Sequence, residues 1–200
     1  METGAALWGG GSAAGRRVQV PWSQGSATFD ISMLTADGLN ILQRCLEWGA
    51  GAGEASETIL LVVGDAVTLA SKDAGRKVLM ESWGYTVTVI DDGDSQANFD
   101  AAAAANDVVY VSGTVVGGTL SNKLTGSATA IVNEFPGQLD NFGFCSVTTD
   151  TFSADSFSKS EISLAEAWLD WKATETFSVI GGKFSPTKLW TAADIDRISG

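Results

Sequence analysis

The sequence predicts an α/β fold in which a parallel sheet carries helices on both faces, and three observations lead to it. Residues 58–63 (TILLVV) form a continuous apolar, β-branched run, the pattern of a strand buried on both sides. From there to residue 133, strand-like and helix-like segments alternate at short, regular spacing, as right-handed βαβ crossovers require. The first of these strands is also the most apolar, which places it centrally and gives the order second-first-third-fourth and onward, a flavodoxin-like sheet.

Each element has its own warrant. After TILLVV, residues 71–83 read as a helix with Ala74, Val78, Leu79 and Trp83 turned inward, stopped by Gly84. Residues 85–90 (YTVTVI) make the second strand, followed by the acidic turn Asp91–Asp94. Ser95 caps a helix running to Ala105, and its run of five alanines favours helix and close approach to a sheet. Residues 107–112 (DVVYVS) are the third strand, 119–124 a short helix and 129–133 (TAIVN) the fourth strand.

Flanking segments are less regular. Residues 1–15 are rich in Gly and Ala, and RVQVPW at 17–22 alternates as a short strand ended by Pro21. A helix starts at Thr35, with Asp37 in its first turn and Leu39, Leu42, Cys45, Leu46 and Gly49 on one face. It stops in GAGAG at 49–53. Past Val147 the pattern gives a polar, turn-rich stretch to Ser160, an amphipathic helix over 161–172, a strand over 177–180 and a short helix over 190–198. The organisation is therefore 1–53 as strand plus helix, 57–147 as the α/β unit, and 148–200 as a tail.

Composition narrows the function classes. The 200 residues are 44% hydrophobic and 18% charged, enough apolar material for a core. No apolar run reaches the ~18 residues of a membrane helix. A net charge of −12 repels phosphate backbones and anionic headgroups, which argues against nucleic acid and membrane insertion. The start METGAALWGG has no basic then apolar leader, so a signal for an exported parent would lie upstream. Histidine is absent, which removes Ser-His-Asp and Cys-His catalysis and most imidazole metal sites. Cys45 and Cys145 make no framework and read as buried thiols, with a disulfide between them open.

The run ILLVVGDAVTLASKDAGRKVLMESWGYTVTVIDD, followed by NDVVYVSGTV and AIVNEF, resembles the ThuA-like and class I glutamine-amidotransferase-like superfamily. It does so over residues 58–144, through the strand pattern, the GY before the second strand and the VS ending the third. Such domains occur as repeated or appended modules in large secreted bacterial proteins. The N-terminal strand and helix resemble the closing elements of such a domain, which implies that the chain straddles two tandem copies. They could then complete the following sheet as a circular permutant would. The family's nucleophilic cysteine sits on the turn after the third strand. That turn here reads Ser112-Gly113-Thr114, so amidotransferase activity does not carry over.

Several residues are weighed for chemistry. Ser112 stands where a nucleophile elbow would place its hydroxyl, but G-x-S-x-G is missing, and a turn-forming serine is the alternative. Asp65, Asp91, Asp92 and Asp94 follow the first two strands and could gather at the carboxyl edge to hold calcium or magnesium, although DDGD is not a calcium loop. Gly117-Gly118-Thr119 opens a helix without a P-loop pattern. Glu134, Asp140 and Glu161 are carboxylates with no spacing fixed between them. Of seven tryptophans, Trp48, Trp83 and Trp168 sit on helix faces as core, while Trp8, Trp22, Trp171 and Trp190 could stack on sugar rings. The leading expectation is a non-catalytic binding or structural module of a larger secreted or cell-surface bacterial protein, partnered by its neighbouring modules, without catalytic residues or cofactor. The resemblance leaves a ThuA-like carbohydrate-active enzyme as one alternative, with a divalent ion at the Asp65 and Asp91 edge. A glycan-binding module is the other.

Overall fold

The computed structural model describes residues 1–7, 10–22, 29–51, 58–144, 169–174 and 177–181. The chain divides into two compact units, residues 1–153 and 154–200.

In the first unit, strands β1 (Arg17–Gln19), β2 (Thr58–Val63), β3 (Thr86–Asp91), β4 (Val108–Val111) and β5 (Ala130–Asn133) form one sheet in the order β1-β5-β4-β2-β3. Every pairing is parallel. This is the flavodoxin-like order, with the N-terminal strand in the fifth position. Arg17, Val18 and Gln19 stand opposite Ile131, Val132 and Asn133. The Ile131 amide donates to Arg16 O at 2.9 Å and the Val20 amide to Asn133 O at 3.0 Å. A strand from the beginning of the chain thus closes a sheet whose other members run from residue 58 to residue 133.

Side-chain alternation along the strands builds two cores. Ile59, Leu61, Val63, Val108, Tyr110, Ala130 and Val132 face one side and pack with Leu42, Leu46, Ile31 and Met80. Leu60, Val62, Ile90, Val109, Val111 and Ile131 face the other and pack with Phe99, Ala103, Leu120, Leu124 and Phe142. Helices α1 (Ala36–Ala50) and α2 (Ser71–Ser82) cover the first face, while α3 (Gln96–Ala104) and α4 (Gly117–Leu120) cover the second. Burying one such aliphatic side chain stabilises by about 1.5–3 kcal/mol, so α1 is tied to the sheet by its own core residues.

Local signals explain where the helices begin and end. Thr35 Oγ1 accepts from the Gly38 amide at 3.3 Å, and Asp37 lies in the first turn of α1. Gly51, at φ 103°, ends the helix in the left-handed region that glycine tolerates. Ser95 caps α3 through the Asn98 amide. Gly49 lets α1 sit low on the sheet, since a Cβ there would lie 3.1 Å from Val108 Cγ2.

Two expectations are corrected. Helix α2 turns Asp73, Arg76 and Met80 inward and leaves Val78 64% exposed. A charged pair spaced three apart reads as a solvated face, yet here it is taken into the protein by partners just past the ends of β4 and β5. In the second unit, β6 (Leu169–Thr174) and β7 (Phe177–Gly181) form an antiparallel pair, so the helix expected over 161–172 is strand from residue 169. Strand β7 matches the strand expected at 177–180. The polar stretch 148–160 and the helix expected at 190–198 lie outside the described residues.

Candidate functional site

In open α/β sheets, ligands bind outside the carboxyl ends of the strands. At that edge β4 ends in Ser112, whose amide donates to Val62 O at 3.0 Å. Ser112 is fully buried, and its hydroxyl donates to Asp73 Oδ1 at 2.5 Å. Thr114 Oγ1 donates to Asp73 Oδ2 at 2.7 Å, and the Thr114 amide donates to Ser112 Oγ at 3.2 Å. Gly64 closes the turn from the side, where a Cβ would stand 2.6 Å from Thr114 O.

Arg76 joins this cluster to the end of β5. Its Nη1 donates to Asp73 Oδ1 at 3.4 Å and its Nε to Glu134 Oε2 at 2.7 Å, while Nη2 pairs with Glu134 Oε1. Tyr110 OH donates to the same Glu134 Oε2 at 2.6 Å. Arg76 and Asp73 are 1% exposed, and Glu134 and Tyr110 are 0% exposed. All four carboxylate oxygens therefore have donors, as buried charges require. Burial alone pulls the Arg76 guanidinium down, but its hydrogen bonds to Glu134 and the charges of Glu134 and Asp73 outweigh that and hold it above its ordinary value. Burial, reinforced by the Glu134 charge, pushes the Tyr110 phenol well up, so it stays protonated and donates. Phe29 lies over the guanidinium at 5.9 Å and stacks with Trp22 at 6.5 Å.

This arrangement is poorly suited to nucleophilic catalysis. A serine nucleophile needs an accessible oxygen and a base free to take its proton. Here the oxygen is buried, and the group that accepts its hydrogen bond already receives Thr114 and Arg76.

Of the four expected metal ligands, Asp91 ends β3, Asp92 and Asp94 follow it and Asp65 follows β2, and each carboxylate accepts at least one hydrogen bond. Asp65 Oδ1 accepts the amides of Val67 and Thr68 at 2.9 and 2.8 Å. Asp91 accepts those of Ala66 and Gly93 at 3.1 and 2.8 Å. Asp92 is 3% exposed and accepts the Val116 amide at 2.5 Å, while its carbonyl receives Lys123 Nζ at 2.6 Å. Asp94 Oδ1 accepts from Asn98 Nδ2 at 3.2 Å. Burial holds the Asp92 carboxyl above its usual range, with the Val116 amide opposing. Among the described residues, no three His, Cys, Asp or Glu side chains are placed to hold a metal ion. Asp65, Asp91 and Asp92 thus cap backbone amides, and Asp94 holds the Asn98 side chain.

The remaining candidates are placed as follows. Gly117-Gly118-Thr119 opens the four-residue helix α4, and Gly117 O accepts from Gln138 Nε2 at 2.9 Å. Glu134 belongs to the buried network, Asp140 accepts the Asn141 amide at 2.8 Å, and Glu161 lies outside the described residues. Trp22 and Trp83 are half-buried against the first core, while Trp48 is half-buried with Arg16 over its ring at 5.2 Å. Trp8, Trp168 and Trp190 lie outside the described residues, and Trp171 is on β6. Cys45 is a free thiol, pushed up by burial, and Cys145 lies outside the described residues. Asp73, Arg76 and Tyr110 were not singled out from the sequence. The available signal was the pairing of Asp73 with Arg76 on the helix that follows the central strand.

The first unit is a five-stranded flavodoxin-like α/β sheet. No protein-family model and no curated protein matches the chain. Among solved structures it is similar to the 1.5 Å crystal structure of a peptidase E candidate from Listeria monocytogenes EGD-e, at 18% identity and a TM-score of 0.34. The match covers 48% of this chain and 52% of that one, about half of each. A likeness of that extent carries nothing about chemistry.

Proposed function

We propose that this chain is a non-catalytic α/β module of a larger secreted or cell-surface bacterial polypeptide, with a binding or spacer role beside neighbouring modules. One observation carries the reading: the position after β4, where the amidotransferase-like resemblance puts a nucleophile, holds a buried serine inside the Asp73, Arg76 and Glu134 network. The absence of histidine and the charge of −12 support it. The order of elements supports the tandem origin, since a strand and helix with the character of closing elements stand ahead of the central strand. On this reading Ser112 is a structural hydroxyl that fixes the tip of β4.

Labelling with a fluorophosphonate probe tests it. Intact-mass and peptide mapping should show Ser112 unmodified in the folded protein. An adduct on Ser112 that disappears in Ser112→Ala would overturn the reading and restore a hydrolase.

A further inference from the structure

The five-stranded sheet has two outer edges, and they are finished differently. At one end β1 is three residues long, and the Arg17 amide and carbonyl are both taken by Met1, at 2.9 Å each. At the other end β3 is six residues long and, among the described residues, pairs only with β2. The Asp92 amide donates to Val63 O at 2.8 Å, so strand alternation turns the backbone groups of Thr88 and Ile90 toward β2 as well. The N–H and C=O groups of Val87 and Val89 therefore point outward along the open edge.

Edge strands are ordinarily guarded by charge, proline or a bulge. Residues 86–90 (TVTVI) have no charge and no proline, and their register with β2 runs without a break. In a chain with 24 acidic residues, this is a neutral strip. The neighbouring end of α3 keeps it neutral: Thr88 Oγ1 donates to Asn106 Oδ1 at 3.2 Å, and Asn106 Nδ2 donates to Ala102 O at 2.8 Å.

The strip is also nearly symmetric about Thr88. Set antiparallel to a second copy, Val87 stands opposite Val89 of that copy, Thr88 opposite Thr88, and Thr86 opposite Ile90. Val87 and Val89 are the residues with outward backbone groups, so they are the ones an antiparallel ladder bonds. Asp91 falls opposite Tyr85, and no carboxylate meets another. Threonine pairs and branched apolar pairs are favourable cross-strand neighbours.

We propose that β3 is a docking edge for a second copy of this chain, which joins it antiparallel about Thr88 and continues the sheet across a two-fold axis. Each copy uses its one open edge and β1 is capped by Met1, so association closes at a dimer. This assignment does not depend on whether the module is catalytic.

Sedimentation velocity of the full chain over a range of protein concentration, at low and at high salt, tests it together with amide exchange. The wild type should pass from monomer to dimer as concentration rises. The shift should be larger at high salt, which screens the repulsion between two copies at −12 each and leaves backbone pairing intact. Exchange at the Val87 and Val89 amides should slow over the same concentration range. Thr88→Lys sets like charges opposite each other at the two-fold axis. Val89→Pro removes an outward N–H, a change that edge strands tolerate. Each variant should remain monomeric where the wild type is dimeric. A wild type that is monomeric throughout, or a dimer in which Val87 and Val89 exchange as fast as in the monomer, would overturn the proposal. If Val89→Pro does not fold, Thr88→Lys and the exchange data decide it.

Discussion

Glu134→Ala should destabilise the domain by about 3–5 kcal/mol, the cost of stripping one partner from a buried, hydrogen-bonded charge pair. The variant leaves Arg76 with Asp73 alone, at 3.4 Å, and leaves the Tyr110 hydroxyl without its acceptor. Both groups remain buried and must bear the loss. The combined Arg76→Met and Glu134→Leu variant should cost less than the sum of its two single changes, because it removes both charges and fills the space with apolar atoms. Asp73 keeps Ser112 and Thr114 as donors in that background. Urea denaturation at constant m-value measures all four corners of the cycle. Additive single effects, or a Glu134→Ala loss below about 1 kcal/mol, would mean that the network does not lock the tip of β4.

Leu46→Ala on α1 should cost about 2–5 kcal/mol, in the range of a core leucine on the sheet itself. Leu46 and Leu61 are both 0% exposed and share one core. Ile41, on the same helix, is 51% exposed, and Ile41→Ala should stay within about 0.5 kcal/mol. The contrast separates a helix that belongs to the sheet from one that merely follows a strand. If Leu46→Ala is as mild as Ile41→Ala while Leu61→Ala is severe, the N-terminal elements are not part of the core.

What could be read from the sequence follows from which signals are local. TILLVV, the Gly84 stop and the Ser95 and Thr35 caps act within a few residues, so the strands, helices and central position of β2 were legible. The place of β1 was legible as the permutation of elements. The site was not, because it is assembled from long-range partners. Arg76 and Glu134 are 58 residues apart, and nothing near Arg76 announces that its charge will be buried. At Asp65 and Asp91 an acidic turn suggests a cation, and the structure shows both carboxylates accepting backbone amides. The strand at 169–174 reads as helix because its tryptophan and leucine also fit a helical face, and a short apolar pattern does not separate the two.

In this fold β1 and α1 form one cooperative unit with residues 58–144. Amide hydrogen exchange tests this most directly, at Val20, which donates to Asn133 O, and at Ile131, which donates to Arg16 O. Both amides should exchange only through global unfolding, with the same opening free energy as Leu61 in the central strand. Rapid exchange at Val20 and Ile131 while Leu61 stays protected would contradict the account, because β1 would then be an appendage and not the fifth strand.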